Sequence, residues 1–407
     1  MSMAPASLRD EFPLLAATPE LHYLDSAATS QMHRLALDAV VRHETTCRAN
    51  VSRGTYRLAE AADLAYEQAR QTVARFLNAT SADEVIFTSG ATASLNLVAH
   101  AFGGALKAGD RVVISVAEHH SNFVPWQMLR ERTGIELVLI PVTAAGQLDL
   151  ARLPELIDSK CRLVAVTHCS NVTGAWTDVA TLVAAARKVG AKVLLDGAQA
   201  VQHGPQDVRA LGIDFYAFSG HKCFGPGGVG VLWGRSELLA AMPPFLTGGG
   251  MIGEVTVEAT TWAAPPQRFE AGTPPIAQAV GLAAALEWMM SLDWPQIHAR
   301  EARLCELLIE GLRRVPGLRL LGPSGGTASA QRAPIVSFEI PGLHPHDICQ
   351  VLDAHQLALR GGHHCAQPLL AALGAEVCTR ASIALYNDEA DIEALLDGLD
   401  FVLRELA

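Results

Sequence analysis

The chain has 407 residues, half of them hydrophobic and 18% charged, which excludes a disordered protein and fits an α/β enzyme of two domains. Its 31 basic and 42 acidic side chains leave a formal net charge of −11, and no basic run interrupts that balance, so nucleic acid and anionic membrane are poor partners. The opening MSMAPASLRDEFPLL has no basic cluster before an apolar run, and no stretch reaches the ~18 apolar residues of a membrane span, so a cytoplasmic protein is expected.

From residue 85 to 234, short β-rich runs alternate with helical segments. Strands are expected at 85–87, 111–116, 136–142, 162–166, 192–195, 214–218 and 229–233. Between the fourth and fifth, Val179, Leu182, Val183, Ala186 and Val189 fall at helical spacing and give one apolar stripe to lay on a sheet. The fold class expected is α/β: a mostly parallel, seven-stranded sheet covered by helices on both faces, with a smaller α+β carboxy-terminal domain. The texture changes after Gly272-Thr273-Pro274-Pro275 to long helices over 277–290 and 295–315, then a looser run over 322–334. This predicts a large domain over 21–284 and a small one over 285–407, with residues 1–20 packing on the small one. The eight cysteines form no CxxC pair and no short secreted scaffold surrounds them, so free thiols are expected.

Chemistry gathers at the expected strand ends. Asp196-Gly197-Ala198-Gln199 follows an apolar strand, and an acid at the carboxyl end of a parallel strand lies where such sheets bind ligands. Ser219-Gly220-His221-Lys222 follows the next strand and precedes Gly225-Pro226-Gly227-Gly228. Taken singly, Asp196 reads as a helix cap and Lys222 as a solvated loop residue. Together they suit a pyridoxal cofactor, the amine bonding its aldehyde and the acid holding its ring nitrogen protonated. Thr88-Ser89-Gly90-Ala91-Thr92, between a strand and a helix, offers amides and hydroxyls to a phosphate. His119-His120 and His363-His364-Cys365 are too few and too poorly spaced for a metal site, and none is expected. In Arg360-Gly361-Gly362-His363-His364-Cys365-Ala366-Gln367-Pro368 the glycines and proline define a loop. A basic neighbour there would make the Cys365 thiol reactive, against the ordinary reading of a buried inert one. Arg380 suits a bidentate hold on a carboxylate, with a surface ion pair as the competing reading.

In order along the chain, YLDSAA at 23–28, EHHSNFVPW at 118–126, SNVTG at 170–174, DGAQ at 196–199, FSGHK at 218–222, FEAGTP at 269–274, RGGHHCAQP at 360–368 and Arg380 resemble the cysteine desulfurases among fold-type I pyridoxal-phosphate enzymes, in the group with an RxGHHC loop. The resemblance implies that Lys222 carries the cofactor as a Schiff base, Asp196 meets the pyridine nitrogen, Gln199 the ring hydroxyl, and His119 stacks on the ring. It implies Thr92, Ser219 and His221 for the phosphate, with Thr273 reaching the phosphate of a neighbouring subunit in a homodimer. Asn171 and Arg380 would orient L-cysteine, with Arg360 beside them, and Cys365 would take its sulfur as a persulfide for an acceptor protein. Ser52, Ser89, Ala91, Pro275, Cys223-Phe224 and Gly228 depart from the residues usual in that group. The related selenocysteine lyases, acting on L-selenocysteine, and a non-catalytic pyridoxal-binding scaffold are the alternatives. A class V aminotransferase is a further alternative that the RGGHHC loop disfavours, since transamination uses no thiol, and the joint presence of Lys222, Asp196 and Cys365 disfavours the scaffold.

Overall fold

The computed structural model describes residues 8–52, 54–324 and 332–406. Seven strands form the large sheet: β1 (Val85–Thr88), β2 (Arg111–Ser115), β3 (Glu136–Ile140), β4 (Cys161–Thr167), β5 (Lys192–Asp196), β6 (Phe215–Ser219) and β7 (Gly230–Gly234), in spatial order β1-β7-β6-β5-β4-β2-β3. Only β7 runs antiparallel to its neighbours, so the other strands end on one edge. Successive residues serve opposite faces: Val85, Phe87, Val164, Val166, Val193 and Leu195 enter one apolar core, while Ile86, Leu163, Ala165 and Leu194 enter the other. A strand buried on both faces reads as a continuous apolar run, as these do.

Helices cover both faces. In chain order the ones used below are α1 (Arg34–Thr46), α2 (Arg57–Phe76), α3 (Ala91–Ala101), α4 (Val179–Val189), α5 (Ile276–Met290) and α6 (Trp294–Leu312). The Asp178 side chain caps the Thr181 amide at the start of α4, and Val179, Leu182, Val183 and Ala186 of its stripe are buried. Each of the valines and the leucine contributes roughly 1.5–3 kcal/mol of burial. The apolar α5 packs on α1 and α2.

Beyond β7 an exposed hairpin pairs β8 (Ile252–Val255) with β9 (Thr260–Trp262). A second sheet, wholly antiparallel, has the order β10 (Arg319–Leu321), β11 (Ile335–Glu339), β13 (Cys378–Ser382), β12 (Arg360–Gly362). Its own core joins Val336, Phe338 and Ala381 to Leu304 and Leu308 of α6 and Leu395 and Leu399 near the carboxyl end. Residue 285 falls inside α5, whose side chains belong to the large core, so on packing grounds we propose that the division into two domains comes at the start of α6. Leu8, Phe12 and Leu15 also enter the large core, where Phe12 meets Phe224, Trp288 and Tyr386 edge to face. Residues 1–7 and part of the 322–334 run lie outside the described residues.

Candidate active site

A cleft of about 320 Å³ opens at the carboxyl edge of the large sheet. The ends of β5 and β6 supply Asp196, Gln199, Ser219, His221 and Lys222; the turn after β2 supplies His119; the segment after β4 supplies Asn171; the start of α3 supplies Thr92. Across from them β12, the loop that follows it and β13 bring Arg360, His364, Cys365 and Arg380. Thr273 is not among them: it lies in another surface cleft, with Ser52, Gly249, Gly250 and Glu270. Glu270 explains the FEAGTP motif locally, since its carboxylate takes Arg70 at 2.6 and 2.9 Å and the Phe87 amide at 2.7 Å, tying that loop to β1.

Burial lowers the Lys222 ammonium to about 8, with the Asp196 carboxylate opposing the drop. Burial also pushes the Asp196 carboxyl up, against the Ala198 N–H that donates to its Oδ1 at 3.0 Å and the charge of Lys222. Gly197 between them is required by close approach, because a Cβ there would stand 2.1 Å from Cζ of Tyr216. Gly230 is likewise enforced: its Cβ would stand 2.4 Å from Cα of Gly90, at the mouth of α3. There the Ala91 N–H donates to Ser219 Oγ at 2.8 Å, fixing that hydroxyl beside the helix N-terminus.

His119 accepts the Ser121 N–H at Nδ1 (3.1 Å), which assigns its ring proton to Nε2, and Ser121 Oγ lies 2.7 Å from the same atom. Burial, then the charges of Lys222, His120 and Arg380, bring its pKa to about 3, so the ring is neutral in ordinary buffers. His221 falls to about 4, through burial and then Lys222. Ser121 and the buried Glu118 lie in the EHHSNFVPW motif, where no local pattern assigns either a role. Glu118 accepts from Asn122 at 2.6 Å and from the Thr167 N–H at 3.0 Å, and so fastens the His119 turn to the end of β4.

The guanidinium of Arg380 is buried, with Nη1 on Asn171 O at 2.9 Å and Nη2 on Asp25 Oδ1 at 3.1 Å. Arg360 also directs its fork at Asp25, with Nη2 at 2.8 Å from Oδ2. Asp25 was visible in YLDSAA, but a pairing across more than three hundred residues leaves no periodic signal. Asn171 Nδ2 donates to His364 O at 2.7 Å and the His120 N–H to Cys365 O at 2.8 Å, so the cysteine loop is held to the large domain by main-chain carbonyls. His364 and Cys365 both have left-handed backbones, φ 49° and 54°, a conformation costing of order 1–3 kcal/mol per residue and concentrated at functional sites. The Cys365 thiol is partly exposed, unlike Cys223 and Cys378.

Three buried polar atoms, on residues that line this cleft, have no partner among the described residues: Gln199 Oε1, Arg380 Nε and His364 Nδ1. An acceptor, a cationic donor and an amine beside a carboxylate form a set that fits an aldehyde cofactor with a ring hydroxyl and an amino acid with a free carboxylate. Comparison with known proteins agrees. The model of the aminotransferase class-V family matches residues 22–395. The chain belongs to this family. A probable cysteine desulfurase of Streptomyces coelicolor is 47% identical over 405 residues, covering 97% of this chain and 96% of that protein. The crystal structure of the cysteine desulfurase CsdA, in its S-sulfonic acid form, from Escherichia coli superposes with a TM-score of 0.92 at 40% identity, covering all of both chains. A C-DES mutant with glycine covalently linked to the PLP cofactor superposes at 0.81 with 27% identity, over 96% of this chain and 98% of that one. The family's fold-type I architecture is the one described above, a seven-stranded mostly parallel sheet with a small antiparallel sheet.

Proposed function

We propose that this chain is a pyridoxal-phosphate-dependent cysteine desulfurase in which Lys222 holds the cofactor and Cys365 takes the sulfur of L-cysteine, releasing L-alanine. The observation that carries the reading is the meeting of Lys222, Asp196, Arg380 and Cys365, from separate stretches of chain, around one cleft.

Bound pyridoxal phosphate supplies an electron sink that draws charge from the substrate's α-carbon and loosens its Cβ–Sγ bond. The Lys222 amine, with its pKa near 8, is neutral in an appreciable fraction of molecules at neutral pH, as attachment to an aldehyde requires. The freed Nζ would serve as the base for the substrate's α-proton. Asp196 would accept from the cofactor's protonated ring nitrogen, and Gln199 Oε1 from its ring hydroxyl. Thr92, Ser219 and His221 would hold the phosphate at the α3 N-terminus. His119, neutral, would pack against the ring without adding a competing cation. Arg380 donates from Nε to the substrate carboxylate, with Asn171 beside it. The Cys365 thiolate attacks the substrate's Sγ: an S–S bond forms, the Cβ–Sγ pair stays with carbon, Cβ takes a proton, and alanine leaves. An acceptor protein or a reductant then removes the persulfide sulfur.

The working unit we propose is a two-fold dimer in which Thr273 reaches the partner's phosphate site; its place outside its own chain's cleft supports this. All eight cysteines are free, which fits a reducing, cytoplasmic setting, and no helix among the described residues is long and apolar enough to cross a membrane. The test is Cys365→Ala. Alanine formation from cysteine should stop while the visible cofactor band persists, and wild-type turnover in that variant would overturn the mechanism.

A further inference from the structure

We infer that Asp25 is a positioning residue that couples occupation of the substrate-carboxylate site on Arg380 to the placement of the loop bearing Cys365. The inference rests on the roles proposed above for those two residues. Arg360 and Arg380 are directly opposite one another on β12 and β13. Like charges in that position repel across a sheet. Asp25, brought over them by its bridge to Ser382, is the counter-ion of both. Its Oδ1 takes Arg380 Nη2 at 3.1 Å and Arg360 Nε at 3.2 Å, and its Oδ2 takes Arg360 Nε at 3.0 Å and Nη2 at 2.8 Å. One negative charge therefore serves two cations, while Arg380 keeps a buried Nε without a partner among the described residues.

A carboxylate arriving at Nε changes that balance. Arg380 gains a counter-ion of its own, and Asp25 then acts more strongly on Arg360. Arg360 opens the strand that leads, through Gly361 and Gly362, into His363-His364-Cys365. That loop carries two consecutive left-handed residues, so it keeps its shape only while its ends are held. Its other tie returns to the same arginine: His364 O accepts from Asn171 Nδ2, and Asn171 O accepts from Arg380 Nη1. Arg380, Asp25, Arg360, the loop and Asn171 thus close a ring, and substrate enters it at one member and reacts at another.

The test uses holoenzyme and L-alanine, which has the carboxylate and amine of the substrate but no sulfur. A shift of the visible band shows that alanine binds, and iodoacetamide labelling followed by peptide mapping reads the exposure of Cys365. In wild type, saturating alanine should slow Cys365 labelling at least about fivefold, the lower end of ordinary coupling between sites. Asp25→Asn should lose most of that protection and raise the KM for cysteine about tenfold or more, and Asp25→Glu should restore part of both. If Asp25→Asn does not fold, Arg360→Gln, half exposed at the rim, carries the test: alanine should still bind but no longer protect. Wild-type protection and KM in Asp25→Asn, or full protection in Arg360→Gln, overturns the inference. Wild-type cysteine turnover by Cys365→Ala overturns the underlying reading instead, so the two failures are separable.

Discussion

Gly197→Ala tests how the fold aims the acid at the end of β5. The added Cβ would stand 2.1 Å from Cζ of Tyr216, 2.3 Å from its Oη and 2.4 Å from Cε1. Ordinary contact begins at 3.4 Å, leaving about 1.3 Å to be relieved. The Tyr216 ring is fully buried in the large core and its hydroxyl lies 3.2 Å from His168 Nδ1, so it has nowhere to swing. The backbone must give instead, against the Gly197 N–H bond to Ala217 O at 2.8 Å and the Ala198 N–H bond to Asp196 Oδ1. Overpacking of this kind costs about 1–3 kcal/mol, and the upper end applies where backbone rather than a flexible side chain must move. A shift of ~1 Å in a catalytic group lowers turnover about a hundredfold. Urea unfolding should show a lower midpoint, and kcat/KM for alanine release should fall about a hundredfold, while borohydride still traps cofactor on Lys222. A second change, Tyr216→Leu, should recover part of both losses. An unchanged midpoint with turnover within twofold of wild type would refute the packing argument.

Lys222→Ala prepared without added cofactor should lose the visible band and the borohydride-trapped adduct; an unchanged adduct would contradict its role. In the apoprotein the Lys222 amine should react with trinitrobenzenesulfonate with a midpoint near pH 8 instead of the usual ~10.4. Its folded pKa is depressed, so between these values the unfolded chain binds more protons, and apoprotein stability should rise with pH through that window. Asp196→Asn removes the charge that opposes the depression, so the midpoint should move down, and an upward move would refute the pairing. Sedimentation at assay concentration should show a dimer, and Thr273→Ala should weaken cofactor retention without lowering the unfolding midpoint of the apoprotein; fully active monomers would exclude a shared site.

The large sheet was legible because each of its strands is a short apolar run bounded by turn residues, and the observed strands match the expected ones to within a residue or two at their ends. Its chemistry was legible for the same reason: in a parallel sheet, the residues just after each strand share an edge, so Asp196 and Lys222 could be related before their contacts were known. The small sheet was harder. β12 is Arg360-Gly361-Gly362, with no apolar side chain to announce a strand, and its pairing with β13 sets Arg360 opposite Arg380 in a way no local pattern encodes. The exposed β8–β9 hairpin was not foreseen at all, its residues lacking a steady alternation. Asp25 and Glu118 were missed because their meaning lies in tertiary partners. One is shared by two arginines from the far end of the chain, and the other joins the ends of β2 and β4.

The most direct measurement is the position of sulfur on the enzyme after holoenzyme meets L-cysteine with neither acceptor nor reductant. Peptide mass spectrometry should find one additional sulfur on the peptide containing Cys365, whose thiol is partly exposed at the cleft. Peptides containing Cys223 and Cys378 should carry none, because burial pushes both thiols well up and leaves little thiolate to attack. Sulfur on Cys223, next to the cofactor lysine, with Cys365 unmodified, would contradict the account.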